Sequence, residues 1–328
     1  MLPENMLPPL IVITGPTATG KSALGVEVAK QLRGEIVSAD SMLIYRYMNI
    51  GTAKPALEER QGIPHYMIDH IDPDEKYSVA LYQGQATKCL EDIIERRKIP
   101  LLVGGTGLYI RALTEHYNFP GTEKNHELRQ NLMHQAQKYG QEALHTRLTQ
   151  IDPAAAARIH PHNLKRVIRA LEVYYLTGKP FSYFQKRDQK GKYNLIMFGI
   201  NMERQLLYRK IEERVDKMLR LGLVEEVQNL LNKGYDVGLT SMQALGYKEI
   251  IAYLKGENTL TEAIYLLKRN TRHFAKRQLT WFKGDKRILW LKMEQDNISE
   301  VAQKIAGRYK EMSKIFKINI SNGGFLND

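Results

Sequence analysis

The eight residues Gly15 to Ser22 read GPTATGKS, and no other stretch restricts the folding of this chain as much. They match the pattern G-x-x-x-x-G-K-[ST] in full. Two glycines let such a loop wrap until consecutive backbone N–H groups point at phosphate oxygens. The lysine adds a point charge, and the last hydroxyl can ligate Mg²⁺ at the N-terminus of the next helix. Gly15, Pro16, Thr17, Ala18, Thr19, Gly20, Lys21 and Ser22 are therefore candidate contacts for a phosphate or diphosphate, with Ser22 the candidate metal ligand. Such a loop works between a strand and a helix, and the flanks supply both. Residues 10–14 are a β-branched apolar run, and residues 22–33 repeat Leu24, Val28 and Leu32 on one helical face.

The alternation continues downstream. Residues 35–40 (EIVSAD) and 65–68 read as strands, 78–95 as a long helix opened by Ser78, and 99–103 (IPLLV) as a buried strand running into Gly104, Gly105 and Thr106 and then another helix. Strands alternating with helices predict an α/β fold: a P-loop doubly wound parallel sheet whose ligands sit beyond the strand carboxyl ends. From 120 to 192 the pattern turns helical throughout. Strand character returns at 195–200 (LIMFGI) and 288–291 (ILWL), with helices between them over 203–221, 224–232 and 261–283. The expected organisation is a core in two parts, 1–119 and 193–312, an inserted all-helical subdomain over 120–192, and a loosely held tail over 313–328.

Lys and Arg number 48 against 36 acids, a formal net charge of +12. The surplus is local. Residues 155–192 hold nine basic side chains against two acids, and residues 264–287 hold eight against one. That concentration suits a polyanion such as nucleic acid, although solvated Lys/Arg-rich helix faces would look the same. The single cysteine, Cys89, excludes an internal disulfide and a Cys-rich zinc site. No apolar run reaches the ~18 residues a membrane helix needs, and the opening MLPENMLPP lacks the features of a leader. The expectation is a protein of the reducing cytoplasm with no membrane partner.

A P-loop suggests nucleotide binding, ATP above all, and normally a second strand end carries an acid for Mg²⁺. Here the matching strand, IPLLVGG, ends in glycines. The carboxylate comes instead after the second strand, at Asp40. It can serve as proton acceptor facing a bound diphosphate, or cap the following turn together with Ser41. Within 203–221, Lys210, Arg214 and Lys217 share one face, which on spacing alone reads as an exposed salt-bridging face with Glu213 and Asp216 nearby. On these residues alone a small-metabolite kinase and a nucleotide-sensing RNA-binding protein both stay open.

The blocks GPTATGKS, VSADSMLIYRYMNIGTAKP, PLLVGGTGLY, DPAAAARIHPHNLKRVIRALEVY, GLVEEV, MQALGYKE and RNTRHFAKRQLTWF resemble, in combination, the bacterial tRNA dimethylallyltransferases, also called tRNA isopentenyltransferases. The resemblance covers nearly the whole chain. It implies a prenyltransferase that moves a dimethylallyl group from dimethylallyl diphosphate to the exocyclic amine of the adenine 3′-adjacent to the tRNA anticodon, releasing diphosphate. The P-loop would then hold an isoprenoid diphosphate and hydrolyse no nucleotide. Implied partners are the tRNA anticodon stem-loop and Mg²⁺, and the chain is expected to act as a monomer. By the same resemblance Asp40 accepts the amine proton, Lys21, Arg214 and the loop amides take up charge on the diphosphate, and Ser22 helps hold Mg²⁺. Contacts to tRNA are implied for Asp40, Ser41, Met42 and Leu43, for Thr106 and Arg129, for Lys165, Arg166, Val167, Ile168 and Arg169, and for Gln243, Ala244, Leu245, Gly246, Tyr247 and Lys248. The adenine must leave its stack, so a deep channel between the P-loop unit and the helical insertion is expected. Ser22 stands where relatives often carry Thr, and the Cys/His finger of eukaryotic relatives is missing. Basic surface would have to supply the grip on RNA.

Overall fold

The structure, a computed structural model, describes residues 7–115, 119–121, 125–184, 191–294 and 297–315. Two compact units divide it: residues 1–114 with 192–328, and residues 115–191. The first unit is built on β1 (Pro9–Thr14), α1 (Lys21–Leu32), β2 (Gly34–Ser38), α2 (Leu57–Arg60), β3 (His65–Tyr66), α3 (Val79–Glu95), β4 (Ile99–Gly104) and α4 (Gly107–Thr114). The second contributes α5 (His126–Tyr139), α6 (Gln141–Ile151), α7 (Pro153–Ala156), α8 (Leu164–Thr177) and α9 (Phe181–Phe184). The chain then returns to the first unit with β5 (Asn194–Asn201), α10 (Arg204–Arg220), α11 (Leu223–Asn232), α12 (Tyr247–Leu254), α13 (Leu260–Lys283), β6 (Ile288–Lys292) and α14 (Ile298–Ile315).

The six strands form one sheet in the order β3-β2-β4-β1-β5-β6, every pairing parallel. Alternate side chains of β1 feed two cores. Leu10 and Val12 join Tyr82, Leu90, Leu102 and Ile110 on one face, while Ile11 and Ile13 join Leu24, Val28, Phe198 and Ile305 on the other. A central parallel strand covered on both faces must be apolar at every position, and β1 is buried along its whole length. The chain leaves β1 toward β2 and leaves β4 toward β5, so the two connections part in opposite directions. Between the ends of β1 and β4 lies the topological switch point, where open α/β sheets bind ligands. Thr14 and Gly104 pair there, and the Thr14 hydroxyl donates to Gly104 O at 3.0 Å.

Capping fixes where the flanking helices begin. Ser78 Oγ accepts from Leu81 N at 3.2 Å to start α3, and Thr259 with Glu262 forms a reciprocal capping box at α13. Three helices have no counterpart in the pattern analysis: α2, α12 and α14. The last is the correction of consequence. It runs to Ile315 and packs Val301, Ile305 and Tyr309 into the second core, so residues 313–315 end a helix and do not begin a loose tail. The remainder of that expected tail, 316–328, lies outside the described residues.

The helical unit has its own core of Leu132, Leu144, Leu148, Val167, Ile168 and Leu171. Burying each such side chain contributes about 1.5–3 kcal/mol. Set into this core is a carboxylate, Glu172, with no exposed surface. Arg129 donates to it at 2.8 and 2.7 Å, Arg169 at 2.6 Å and the Asn125 N–H at 2.9 Å. Removing either arginine would leave that buried charge partly uncompensated.

Candidate active site at the strand carboxyl ends

The 15–22 loop leaves β1 under a tight steric condition. At Gly15, φ is +140°, and a Cβ there would stand 2.5 Å from Ile200 O of the neighbouring strand. Only glycine fits. Thr19 Oγ1 donates to Pro16 O at 2.9 Å, and Lys21 Nζ also donates to Pro16 O, which closes the loop on itself. Gly20, in the left-handed region at φ 81°, caps α1 without a side chain, and Ser22 is exposed in the first turn.

Next to it, β4 ends in Gly104-Gly105-Thr106. A Cβ at Gly104 would meet Ala39 O at 2.2 Å, so no side chain, acidic or otherwise, fits at this strand's last position. The carboxylate comes from the neighbouring strand's exit. Asp40 lies two residues past β2, and its Oδ1 accepts from Met42 N at 2.9 Å, so the turn-capping reading holds. Thr106 steadies the same turn, its Oγ1 accepting from Ser41 N at 3.0 Å and its own N–H donating to Ala39 O at 2.9 Å.

The third wall is α10. Arg214 donates from Nη1 to Thr17 Oγ1 and from Nη2 to Thr52 O, both at 3.2 Å. Its carboxylate neighbours turn elsewhere: Glu213 to Arg209, Asp216 to Lys268 and Glu212 to Arg272. The salt-bridging-face reading of Arg214 is therefore corrected, since its described partners are a hydroxyl and a carbonyl. Lys21, Arg214 and Asp40 lie close enough to act on one another's charge. Burial pushes the Lys21 ammonium down to about 7, with Asp40 opposing the fall and Arg214 adding to it. Burial also lowers Arg214, again against the pull of Asp40. A site that holds two cations where burial works against their charge is suited to an anion.

Of the remaining expected contacts, Ser41, Met42 and Thr106 are partly exposed beside Asp40, while Leu43 is buried. Lys165, Arg166, Gln243 and Lys248 are exposed, Ala244 and Leu245 partly so. Four more buried positions and two ion-paired arginines need correction. Val167 is 0% and Ile168 4% exposed, both in the helical core, so they pack and do not meet RNA. Gly246 is buried, and Tyr247 is 0% exposed with its hydroxyl on Glu226. Arg129 and Arg169 are committed to Glu172. From the first basic segment, Lys186, Arg187 and Lys190 lie outside the described residues.

Two residues had no sequence signal that singled them out. Gln278 of α13, 7% exposed, accepts the Thr17 N–H and donates to Gly105 O. Glu226 of α11 sits in GLVEEV, where it reads as an ordinary helical acid.

A parallel α/β sheet with a glycine-rich loop, an arginine and a carboxylate at one switch point suits an enzyme that acts on an anionic substrate, and the relatives place it among the transferases. The family model described as IPP transferase matches residues 43–285. Among similar proteins, the tRNA dimethylallyltransferase of Pelotomaculum thermopropionicum is 56% identical over 93% of this chain and 98% of its own length. That of Desulforudis audaxviator is 57% identical over 88% and 93%. The solved full-length tRNA isopentenylpyrophosphate transferase of Bacillus halodurans superposes with a TM-score of 0.69 at 46% identity, covering 94% of this chain and 98% of that one. A eukaryotic dimethylallyltransferase acting on tRNA gives 0.76 at 29% identity over 98% and 81%. The chain belongs to the IPP transferase family, the family of the tRNA dimethylallyltransferases. No helix among the described residues is long and apolar enough to cross a membrane.

Proposed function

We propose that the protein transfers a dimethylallyl group from dimethylallyl diphosphate to the exocyclic amine of the adenine 3′-adjacent to the anticodon of tRNA. What supports this reading is the family match together with Asp40, Lys21 and Arg214 lying within reach of one another's charge near the sheet's switch point. The amine nitrogen forms a bond to C1 of the allyl group as the C1–O bond breaks, and the electron pair leaves with the diphosphate. Asp40 takes the amine proton. Lys21, Arg214 and the N–H groups of the 15–22 loop hold the charge that gathers on the leaving diphosphate. Donors fixed before the reaction lower its barrier most.

The residues fit Mg²⁺ as a companion of the substrate. Among the described residues no cluster of three or more acidic, His or Cys side chains could cage a metal. The Ser22 hydroxyl opens a helix beside the loop, and Mg²⁺ commonly takes one or two protein oxygens with phosphate oxygens and water. Bound there, Mg²⁺ would neutralise diphosphate charge, and Ser22 would hold it. The tRNA would meet the exposed Lys165 and Arg166, with the basic face of α13 adding Lys276, Arg277 and Lys283.

Incubating the protein with unmodified tRNA, Mg²⁺ and dimethylallyl diphosphate, then weighing the anticodon loop by mass spectrometry, tests this reading. A mass gain of one dimethylallyl group on the adenine after the anticodon is the expected result. Phosphate release from ATP without any gain would favour a kinase.

A further inference from the structure

The backbone from Asn49 to Gly51 aims three consecutive N–H groups at one point, and a carboxylate fills it. Glu226 Oε2 accepts from Asn49 N at 2.8 Å and from Ile50 N at 2.7 Å. Its Oε1 accepts from Gly51 N at 3.0 Å and from the Tyr247 hydroxyl at 2.6 Å. Successive N–H groups of this kind make an anion-binding concavity, and hydrogen bonds to an ionised acceptor are about twice as strong as neutral ones. Here the anion is one of the chain's own side chains, brought from 175 to 177 residues away.

The consequence appears one residue on. Thr52 follows the clamped segment, its hydroxyl donating to Met48 O at 2.6 Å, and its carbonyl receives Arg214 Nη2. A guanidinium is a rigid plane. With one nitrogen on Thr52 O and another on Thr17 Oγ1, the plane of Arg214 is set by where the clamp puts that carbonyl. We propose that Glu226, braced by the Tyr247 hydroxyl, is a positioning residue that orients Arg214 toward the leaving diphosphate. This rests on the reading of Arg214 as a diphosphate ligand given above.

The alternative is that Glu226 only ties α11 to the 49–52 segment. The two roles separate in a cycle with Arg214. In the full chain, Glu226→Gln puts an amide donor against N–H donors, and Tyr247→Phe removes the hydroxyl that braces Glu226 while keeping the ring. Calorimetry with inorganic diphosphate and Mg²⁺, together with KM for dimethylallyl diphosphate and for tRNA, reads the outcome. Glu226→Gln is expected to weaken diphosphate binding and raise the isoprenoid KM by about tenfold or more, since small misplacements of a binding group cost such factors. Tyr247→Phe should shift both the same way by less. In an Arg214→Ala background, Glu226→Gln should change neither. Wild-type diphosphate affinity in Glu226→Gln, or an equal loss with and without Arg214, overturns the proposal. Should Glu226→Gln fail to fold, Tyr247→Phe decides alone, and unchanged diphosphate affinity in it is the overturning result. If the wild-type protein binds diphosphate through Arg214 but moves no prenyl group, the functional reading falls while the positioning test still reads.

Discussion

Gln278 lies 261 residues from Thr17 in the chain, yet its Oε1 accepts the Thr17 backbone N–H at 2.8 Å. Its Nε2 donates to Gly105 O at 2.9 Å, so one amide joins the loop after β1 to the turn after β4 across the switch point. Gln278→Leu keeps the volume and removes both bonds. Each backbone group left unpaired costs about 1–3 kcal/mol. Denaturant unfolding should show that loss, and single-turnover prenyl transfer should slow with it; wild-type values in both would make Gln278 a bystander.

Asp40 both caps its turn and is proposed to accept the amine proton, and two substitutions separate these roles. Asn retains an oxygen for Met42 N but cannot take a proton; Ala loses both. Single-turnover transfer should fall by about 10²–10⁴ in each, the usual cost of removing a general base, with the melting temperature lowered mainly in Asp40→Ala. Near-normal transfer in Asp40→Asn would leave only the cap.

Lys21 makes diphosphate binding depend on pH. Its ammonium is lowered from 10.5 to about 7 by burial first, with Asp40 opposing and Arg214 assisting. Above about pH 7 the ligand-free side chain is mostly neutral, and a bound diphosphate restores its charge, so binding takes up a proton there. Calorimetry near pH 8 in buffers of different ionisation heat should reveal the uptake, and Lys21→Met should abolish it. In the unfolded chain the proton stays on up to about 10.5, so this group's contribution to stability rises with pH between those two values.

The Glu172 cluster sets the acid limit of the helical unit. Burial pushes this carboxyl up, but Arg129, Arg169 and the Asn125 N–H more than offset it and hold the group at about 2. A folded value below the unfolded 4.5 means stability fully present above 4.5 and lost as pH falls toward 2. Glu172→Gln should flatten that dependence and cost about 3 kcal/mol, the low end for a broken buried pair because both arginines are partly exposed. Hydrogen exchange across 115–191 measures it, and unchanged protection would mean the cluster is dispensable.

Lys165 and Arg166 are the exposed cations of α8, whereas Arg169 is tied to Glu172. Neutralising Lys165 and Arg166 together should lower the log–log salt slope of tRNA binding by about 1.4–1.8, at ~0.7–0.9 per phosphate contact. Filter binding over a salt series checks this. An unaltered slope in a folded double variant would make these charges a solvated face.

What the sequence determined by itself is local. The 15–22 loop carries its glycines, lysine and hydroxyl within eight residues, so its strand–loop–helix setting is legible without a fold. The central strands β1 and β4 announce themselves as apolar runs because a strand covered on both faces must be apolar, whereas the edge strand β3, His65–Tyr66, carries no such run. Strand order, and with it the switch point, was not legible, since pairing joins residues as distant as Thr14 and Gly104. Tertiary structure likewise decided which charges are spent and which are free. Arg169 and Arg166 look alike in sequence, but a buried carboxylate claims only the first. Val167, Ile168 and Tyr247 stand inside the expected RNA-binding runs and face cores instead, because a helix turns adjacent residues to different surroundings. Gln278 and Glu226 gain their roles only from backbone N–H groups brought to them by folding, and a backbone donor leaves no mark on the identity of the residue that carries it.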